Sequence, residues 1–102
     1  MTEIKGSDIH KIVLACEAGR GSSVMVVSQL RQRLKDTGVE VVHSPASRIP
    51  TDADVIMCHR GLEATARNVA PGTVVVPFDL FIGDPAFDRV VQAIKQGQPI
   101  EG

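Results

Sequence analysis

Apolar residues along this chain follow two rhythms, and their alternation predicts a layered α/β domain. Lys11–Cys16, Val39–His43, Asp54–Cys58 and Thr73–Val76 each hold a short, mostly β-branched apolar run bounded by Gly, Pro or polar residues. Runs of that length and type are strands buried in a sheet. Between them, Val24, Val27, Leu30 and Leu34 recur at helical spacing opposite Gln29, Arg31, Gln32, Arg33 and Lys35. That predicts a helix over Val24–Lys35, with its cations in the last turns and Gly38 as the stop. Leu62–Val69 reads as a short helix. Phe87–Gln96 reads as a final one, with Phe87, Val90, Val91 and Ile94 on one face. Pro45 and Pro50 mark the connection Ser44–Thr51, Pro71-Gly72 is a turn, Pro77 closes the fourth strand, and Asp79–Pro85 is a loop.

Strands alternating mostly with helices imply a parallel sheet covered on both faces, and right-handed crossovers favour an open sandwich. The expected fold class is α/β, a three-layer open sandwich with a four-stranded parallel sheet in the order 2-1-3-4. The domain is expected over residues 11–97, with 1–10 a flexible lead-in and 98–102 a tail. In such sheets ligands bind beyond the carboxyl ends of the strands, where the strand order reverses. Cys16 ends the strand at that point.

Composition narrows the classes of function. The chain has 102 residues, enough for one core, and with no Trp or Tyr and three Phe the core must be built from Val, Ile, Leu and Ala. A formal charge of -1 and no dense Lys/Arg cluster give no electrostatic basis for nucleic-acid binding. Two cysteines, Cys16 and Cys58, do not make a disulfide framework. Met1–Gly6 lacks the apolar region of a signal peptide, and no run approaches a membrane span. The expectation is a cytoplasmic protein, with no direct membrane insertion, that meets the inner face of a membrane only through a partner.

Cys16 is followed at once by Glu17-Ala18-Gly19-Arg20-Gly21-Ser22-Ser23. A Gly- and Ser-rich loop between a strand and a helix N-terminus presents backbone N–H groups without internal partners, which bind phosphate oxygens. The same dipoles favour the ionised thiol, the nucleophilic form. Gly19 and Gly21 allow the backbone to converge on an anion, and Ser22 and Ser23 add hydroxyl donors. A lone cysteine is more often a buried structural one; here its place at a strand end before this loop favours chemistry.

The arrangement is similar to that of low-molecular-weight tyrosine phosphatases, which also place a nucleophilic cysteine on a loop between the first strand and a helix. Their loop carries an arginine clamp where this chain has Ser22. Arg20 lies in the loop at another spacing, and Asp84-Pro85 is a two-residue likeness to their acid loop. A loop without the clamp suits passing a phosphoryl group on more than hydrolysing it.

Lys11-Ile12-Val13-Leu14-Ala15-Cys16 with Gly19-x-Gly21-Ser22-Ser23 resembles the active-site signature of the cytoplasmic EIIB component of the sugar phosphotransferase system (PTS), mannitol type. Asp54-Val55-Ile56-Met57-Cys58-His59-Arg60-Gly61-Leu62 is similar to that family's third strand and its His-Arg exit, and Ile49-Pro50-x-Asp52-x-Asp54 also fits. The likeness runs from about Lys11 to Ile94. It implies that Cys16 is phosphorylated, that Glu17, Ala18, Gly19, Arg20, Gly21, Ser22 and Ser23 hold the phosphoryl group, and that neither metal nor cofactor is needed. It implies a phosphohistidine donor, EIIA, and a membrane permease, EIIC, that passes the group to a sugar or sugar alcohol. Glu17 stands where that type usually has Asp, Arg20 where an apolar residue is common, and Cys58 where a small residue such as Thr is usual. These departures bear on sugar and partners more than on the cysteine chemistry. A cysteine phosphatase and a PTS-linked regulatory module are the alternatives.

His59 and Arg60 are candidate supporting residues, expected beside the Cys16 strand and able to stabilise a thiolate or phosphate. Cys58 is expected at the end of an adjacent strand, either as a buried small side chain or as an oxidation partner of Cys16. His10 and His43 have no partner pattern, and Cys58-His59 lacks a second ligand pair for a metal. Arg31, Arg33 and Lys35 read as a solvated helix face or a surface for an acidic partner.

Overall fold

The computed structural model describes residues 3–16, 22–80 and 84–101, with Cys16, Ser22 and Ser23 described by their backbone. In chain order the elements are β1 (Glu3–Lys5), β2 (Lys11–Cys16), α1 (Ser22–Arg33), β3 (Glu40–Pro45), β4 (Val55–His59), α2 (Glu63–Val69), β5 (Val74–Phe78), α3 (Pro85–Gln96) and β6 (Pro99–Glu101). The strands β2 to β5 form one parallel sheet in the order β3-β2-β4-β5. This is the expected 2-1-3-4 order, with β2 central.

Alternation along the strands sorts the core into two layers. Ile12, Leu14, Val55, Met57, Val74 and Val76 face one way, onto Val27 and Leu30 of α1, Leu34 just past its end, and Phe87, Val90 and Val91 of α3. Val13, Ala15, Ile56, Cys58 and Val75 face the other way, onto Ala66 of α2 and Ala46 and Ile49 of the β3–β4 connection. The first layer holds the large side chains and the second mostly small ones, so α2 covers its face with little bulk.

Local departures from the expected elements have physical causes. In α1, Val24 is 47% exposed and Val26 2%. Periodicity gives both residues a claim to the apolar face, and packing on the sheet selects Val26. Pro77 lies inside β5, opposite Cys58, and does not close it; β5 is an edge strand, where a missing N–H is tolerated. Helix α3 starts at Pro85, because Asp84 is its N-cap and proline suits the first helical position. Gly97 at φ 69° ends it in the left-handed region that glycine favours.

Glu3–Lys5 and Pro99–Glu101, read from sequence as parts of a lead-in and a tail, pair as an antiparallel ribbon. Three-residue strands carry too little period-two pattern to be seen beforehand. The ribbon continues into a Gly6 N–H bond to the Gln98 carbonyl, 2.7 Å. A side chain at Gly6 would put its Cβ 1.8 Å from the Ala93 carbonyl oxygen. At the same end of the sheet, Asp54 Oδ2 accepts from the His10 and Lys11 N–H groups at 2.8 and 3.0 Å. Lys11 Nζ lies 3.1 Å from Asp52 Oδ2. The motif around Asp52 and Asp54 therefore anchors the start of β2, at the end away from Cys16.

The α1 cations are largely occupied by the fold. Arg31 Nε donates to the Val41 carbonyl at 2.7 Å, and Arg33 pairs with Asp88 of α3 at 2.8 Å.

Candidate functional site at the carboxyl edge of the sheet

Cys16 is the last residue of β2, the strand on either side of which the sheet order reverses. It is in register with Pro45 of β3 on one side. On the other, Ala15 is in register with Cys58, so His59 is level with Cys16 one residue further on. Glu17, Ala18, Gly19, Arg20 and Gly21, and the side chains of Cys16, Ser22 and Ser23, lie outside the described residues, and with them the expected phosphate contacts. The ends of that loop are fixed: the backbone of Cys16 at the end of β2, and the start of α1 at Ser22.

The two candidate supporting residues do stand at this edge. His59 ends β4 and caps the short turn Arg60–Leu62; its Nδ1 accepts from the Gly61 N–H at 3.2 Å. That bond makes Nδ1 the acceptor nitrogen and leaves the neutral ring its proton on Nε2. The ring meets Phe78 edge-on, with centroids 6.2 Å apart. Arg60 reaches across to Asp79, just past the end of β5. Its Nε lies 2.7 Å from Oδ1 and its Nη2 3.3 Å from Oδ2, a forked contact. Hydrogen bonding to Asp79 holds the guanidinium above its ordinary pKa, and the bond from Arg60 holds the Asp79 carboxyl below the usual carboxylate range.

Asp84 sits behind this pair. It is 8% exposed, the one buried charged residue among those described. Its Oδ2 accepts from the Asp79 and Leu80 N–H groups at 2.7 and 3.0 Å, and its Oδ1 from the Ala86 N–H at 2.8 Å. Burial pushes its pKa up, but the three backbone N–H bonds and nearby Arg60 outweigh burial and hold it below the usual range. The acid-loop likeness of Asp84-Pro85 is thus answered by a helix cap. An ionised carboxylate already accepting three bonds has no proton to give a leaving group.

Sequence reasoning missed Asp79 and the capping role of Asp84. The Asp-Pro pair ahead of the apolar stripe of α3 is a helix-start signal and was readable. Nothing local to Asp79 points to Arg60, nineteen residues away in sequence.

Cys58 is fully buried among the small side chains of the second layer, in register with Ala15. Burial, with Glu63 adding and Arg67 opposing, pushes its thiol up to about 11. It is a structural thiol, protonated at neutral pH, and a poor nucleophile or oxidation partner. Around the edge, Val24, Met25 and Leu80 expose apolar side chains, at 47, 44 and 59%. Among the described residues no cluster of His, Cys, Asp and Glu could hold a metal ion, and no helix is long and apolar enough to cross a membrane.

Fold and site together define a class: a parallel α/β domain with a cysteine at its switch-point strand and paired charges on the neighbouring strand ends. Within that class, the chain belongs to the family described as "PTS system, Lactose/Cellobiose specific IIB subunit", which matches residues 11–93. The match starts with β2 and ends in α3, so β1 and β6 lie outside it. The chain is 30% identical, over 93% of its length and 20% of the relative's, to the "PTS system mannitol-specific EIICB component" of Bacillus subtilis (strain 168). It is 32% identical over 86% of its length, and 19% of the relative's, to the component of the same name from Geobacillus stearothermophilus. To the "PTS system mannitol-specific cryptic EIICB component" of Escherichia coli (strain K12) it is 34% identical over 82% of its length and 18% of the relative's. The chain therefore spans about a fifth of the length of these curated relatives.

Proposed function

We propose that the protein is a phosphoryl carrier of a sugar phosphotransferase system, with Cys16 as the residue that is phosphorylated. The observation that carries this reading is the place of Cys16, at the carboxyl end of the central strand β2 and ahead of α1, in a chain of the IIB family. A phosphohistidine of an EIIA partner lies in line with the thiolate. The S–P bond forms as the P–N bond breaks, and the electron pair of that bond returns to the donor imidazole, which leaves neutral. Backbone N–H groups of Glu17–Ser23 hold the phosphoryl oxygens through the transfer. His59 and Arg60 support the charge from the end of β4. A membrane EIIC then presents a sugar or sugar alcohol. A sugar hydroxyl forms the O–P bond, the S–P bond breaks, the thiolate is regenerated, and the hydroxyl proton passes to a base at the sugar site. The names of the relatives favour a mannitol-like sugar alcohol, and their joining of EIIC with EIIB in one component favours EIIC as the partner. Exposed Val24, Met25 and Leu80 suit brief docking at this edge.

The phosphatase alternative is weakened by Asp84, which is ionised and committed to three backbone N–H groups. The test is to incubate the purified protein with phosphoenolpyruvate, the general phosphotransferase proteins and a cognate EIIA. The reading predicts a mass gain of one phosphoryl group, absent in Cys16→Ser, and negligible turnover of an aryl phosphate. Folded protein that gains nothing from any EIIA, or that steadily releases phosphate from the aryl ester, overturns it.

A further inference from the structure

We propose that Asp79 is a counter-ion that masks Arg60, so that a phosphoryl group on Cys16 is held loosely enough to be passed on. This rests on the reading of Cys16 as phosphoryl acceptor. Arg60 engages Asp79 through two nitrogens, at 2.7 and 3.3 Å, which occupies one edge of its guanidinium fork. The Asp79 backbone is anchored, because the Asp79 and Leu80 N–H groups are both bonded to buried Asp84, so the carboxylate stays within reach of Arg60. Arg60 and Asp79 are themselves 57 and 61% exposed, so their pairing is weak and exchangeable in water.

The location gives the pair its role. Cys16 is level with His59 across a strand spacing of about 4.8 Å, and Arg60 follows His59 by one Cα step of about 3.8 Å. The Arg60 backbone therefore lies about one strand spacing and one chain step from that of Cys16, within reach of a long, flexible side chain that in this structure is turned toward Asp79, on the β5 side. The guanidinium fork fits phosphate oxygens as well as it fits a carboxylate. Two anions thus compete for one cation. With Asp79 present, the site accepts the phosphoryl group without gripping it. With Asp79 neutral, Arg60 turns fully onto the phosphoryl oxygens and the carrier becomes a trap.

Asp79→Asn removes the charge and keeps the backbone N–H that Asp84 binds, so the fold of this edge is retained. The experiment equilibrates wild type, Asp79→Asn, Arg60→Gln and the double variant with phosphoenolpyruvate, the general phosphotransferase proteins and EIIA. Intact mass then gives the ratio of phosphorylated to free chain against that of EIIA. Asp79→Asn should shift this equilibrium about fivefold toward the phosphorylated chain, the upper size of the exposed ion pair that no longer competes. In the Arg60→Gln background the same change should shift it less than about twofold. A wild type that is phosphorylated on Cys16 but shows the same ratio as Asp79→Asn overturns the masking role alone. So does a shift of that full size that persists without Arg60, since Asp79 then acts by its own charge. A wild type that takes no phosphoryl group overturns the carrier reading, and the masking role with it.

Discussion

The two ends of the parallel sheet are built from opposite kinds of contact. At the amino end, polar groups are tied to backbone: Asp54 receives the His10 and Lys11 N–H groups, and Gly6 bonds Gln98 where the β1–β6 ribbon begins. Side-chain charge there is used to set strand register. At the carboxyl end, buried Asp84 holds three backbone N–H groups and supports a layer of exposed groups, Arg60, Asp79, His59 and Leu80, of which Arg60 and Asp79 bond each other side chain to side chain. One end can be altered only by disturbing the fold. The other can be altered with the fold intact, which is what a site that exchanges partners requires.

That contrast can be broken most sharply by pairing one variant from each end. Cys16→Ser should abolish phosphoryl acceptance and leave the melting temperature within about 2 °C, since it exchanges one small side chain for another of nearly the same size. Gly6→Ala should do the reverse. Its new methyl group meets the Ala93 carbonyl, forcing α3 from the ribbon at a cost of about 3 kcal/mol, or roughly 15 °C in melting temperature, while folded protein still accepts a phosphoryl group. Paired phosphorylation and thermal-melt measurements check both; equal effects of the two changes on both readouts would dissolve the distinction.

Asp84→Ala comes next, at about 2 kcal/mol, because it leaves three N–H groups without their acceptor. Its pH dependence has a definite sign. The folded carboxyl lies below the unfolded value of about 3.9, so its share of stability is complete above that value and is lost as pH falls through the folded value. Denaturant midpoints between pH 7 and 2 should therefore converge for wild type and variant at the acid end; a constant gap would exclude Asp84 as the source. A smaller effect is expected at Cys58, whose thiol at about 11 and full burial should keep it unalkylated in native protein at pH 8 until denaturant exposes it. Mass mapping of the alkylated peptides gives the answer. The smallest is Arg33→Ala, which removes a surface pair with Asp88 and should cost less than about 1 kcal/mol by equilibrium unfolding.

The sheet was legible because four buried strands announce themselves by short β-branched runs, and the position of Cys16 followed from strand order alone. What stayed hidden is instructive. Val24 and Val26 compete for one helix face, and only contact with the sheet decides between them. Pro77 reads as a strand end until β5 is known to be an edge. The β1–β6 ribbon joins residues at opposite ends of the chain, and Arg60 meets Asp79 across two strands, so neither leaves a local pattern. Asp84 lies at the end of the stretch Asp79–Pro85 that reads as a loop, although an Asp-Pro pair ahead of an apolar stripe is a helix-start pattern, and it caps α3. His59 ends β4 and Arg60 follows it, and strand order and register put β4 beside β2.

The central claim is that the phosphoryl group resides on sulfur. The direct measurement is 31P NMR of the intact protein after phosphorylation from phosphoenolpyruvate through EIIA. The account predicts a single resonance with the chemical shift of a phosphorus–sulfur bond, unchanged in His10→Ala and His43→Ala and absent in Cys16→Ser. A phosphorus–nitrogen resonance that survives Cys16→Ser and disappears with one of the three histidines would contradict it.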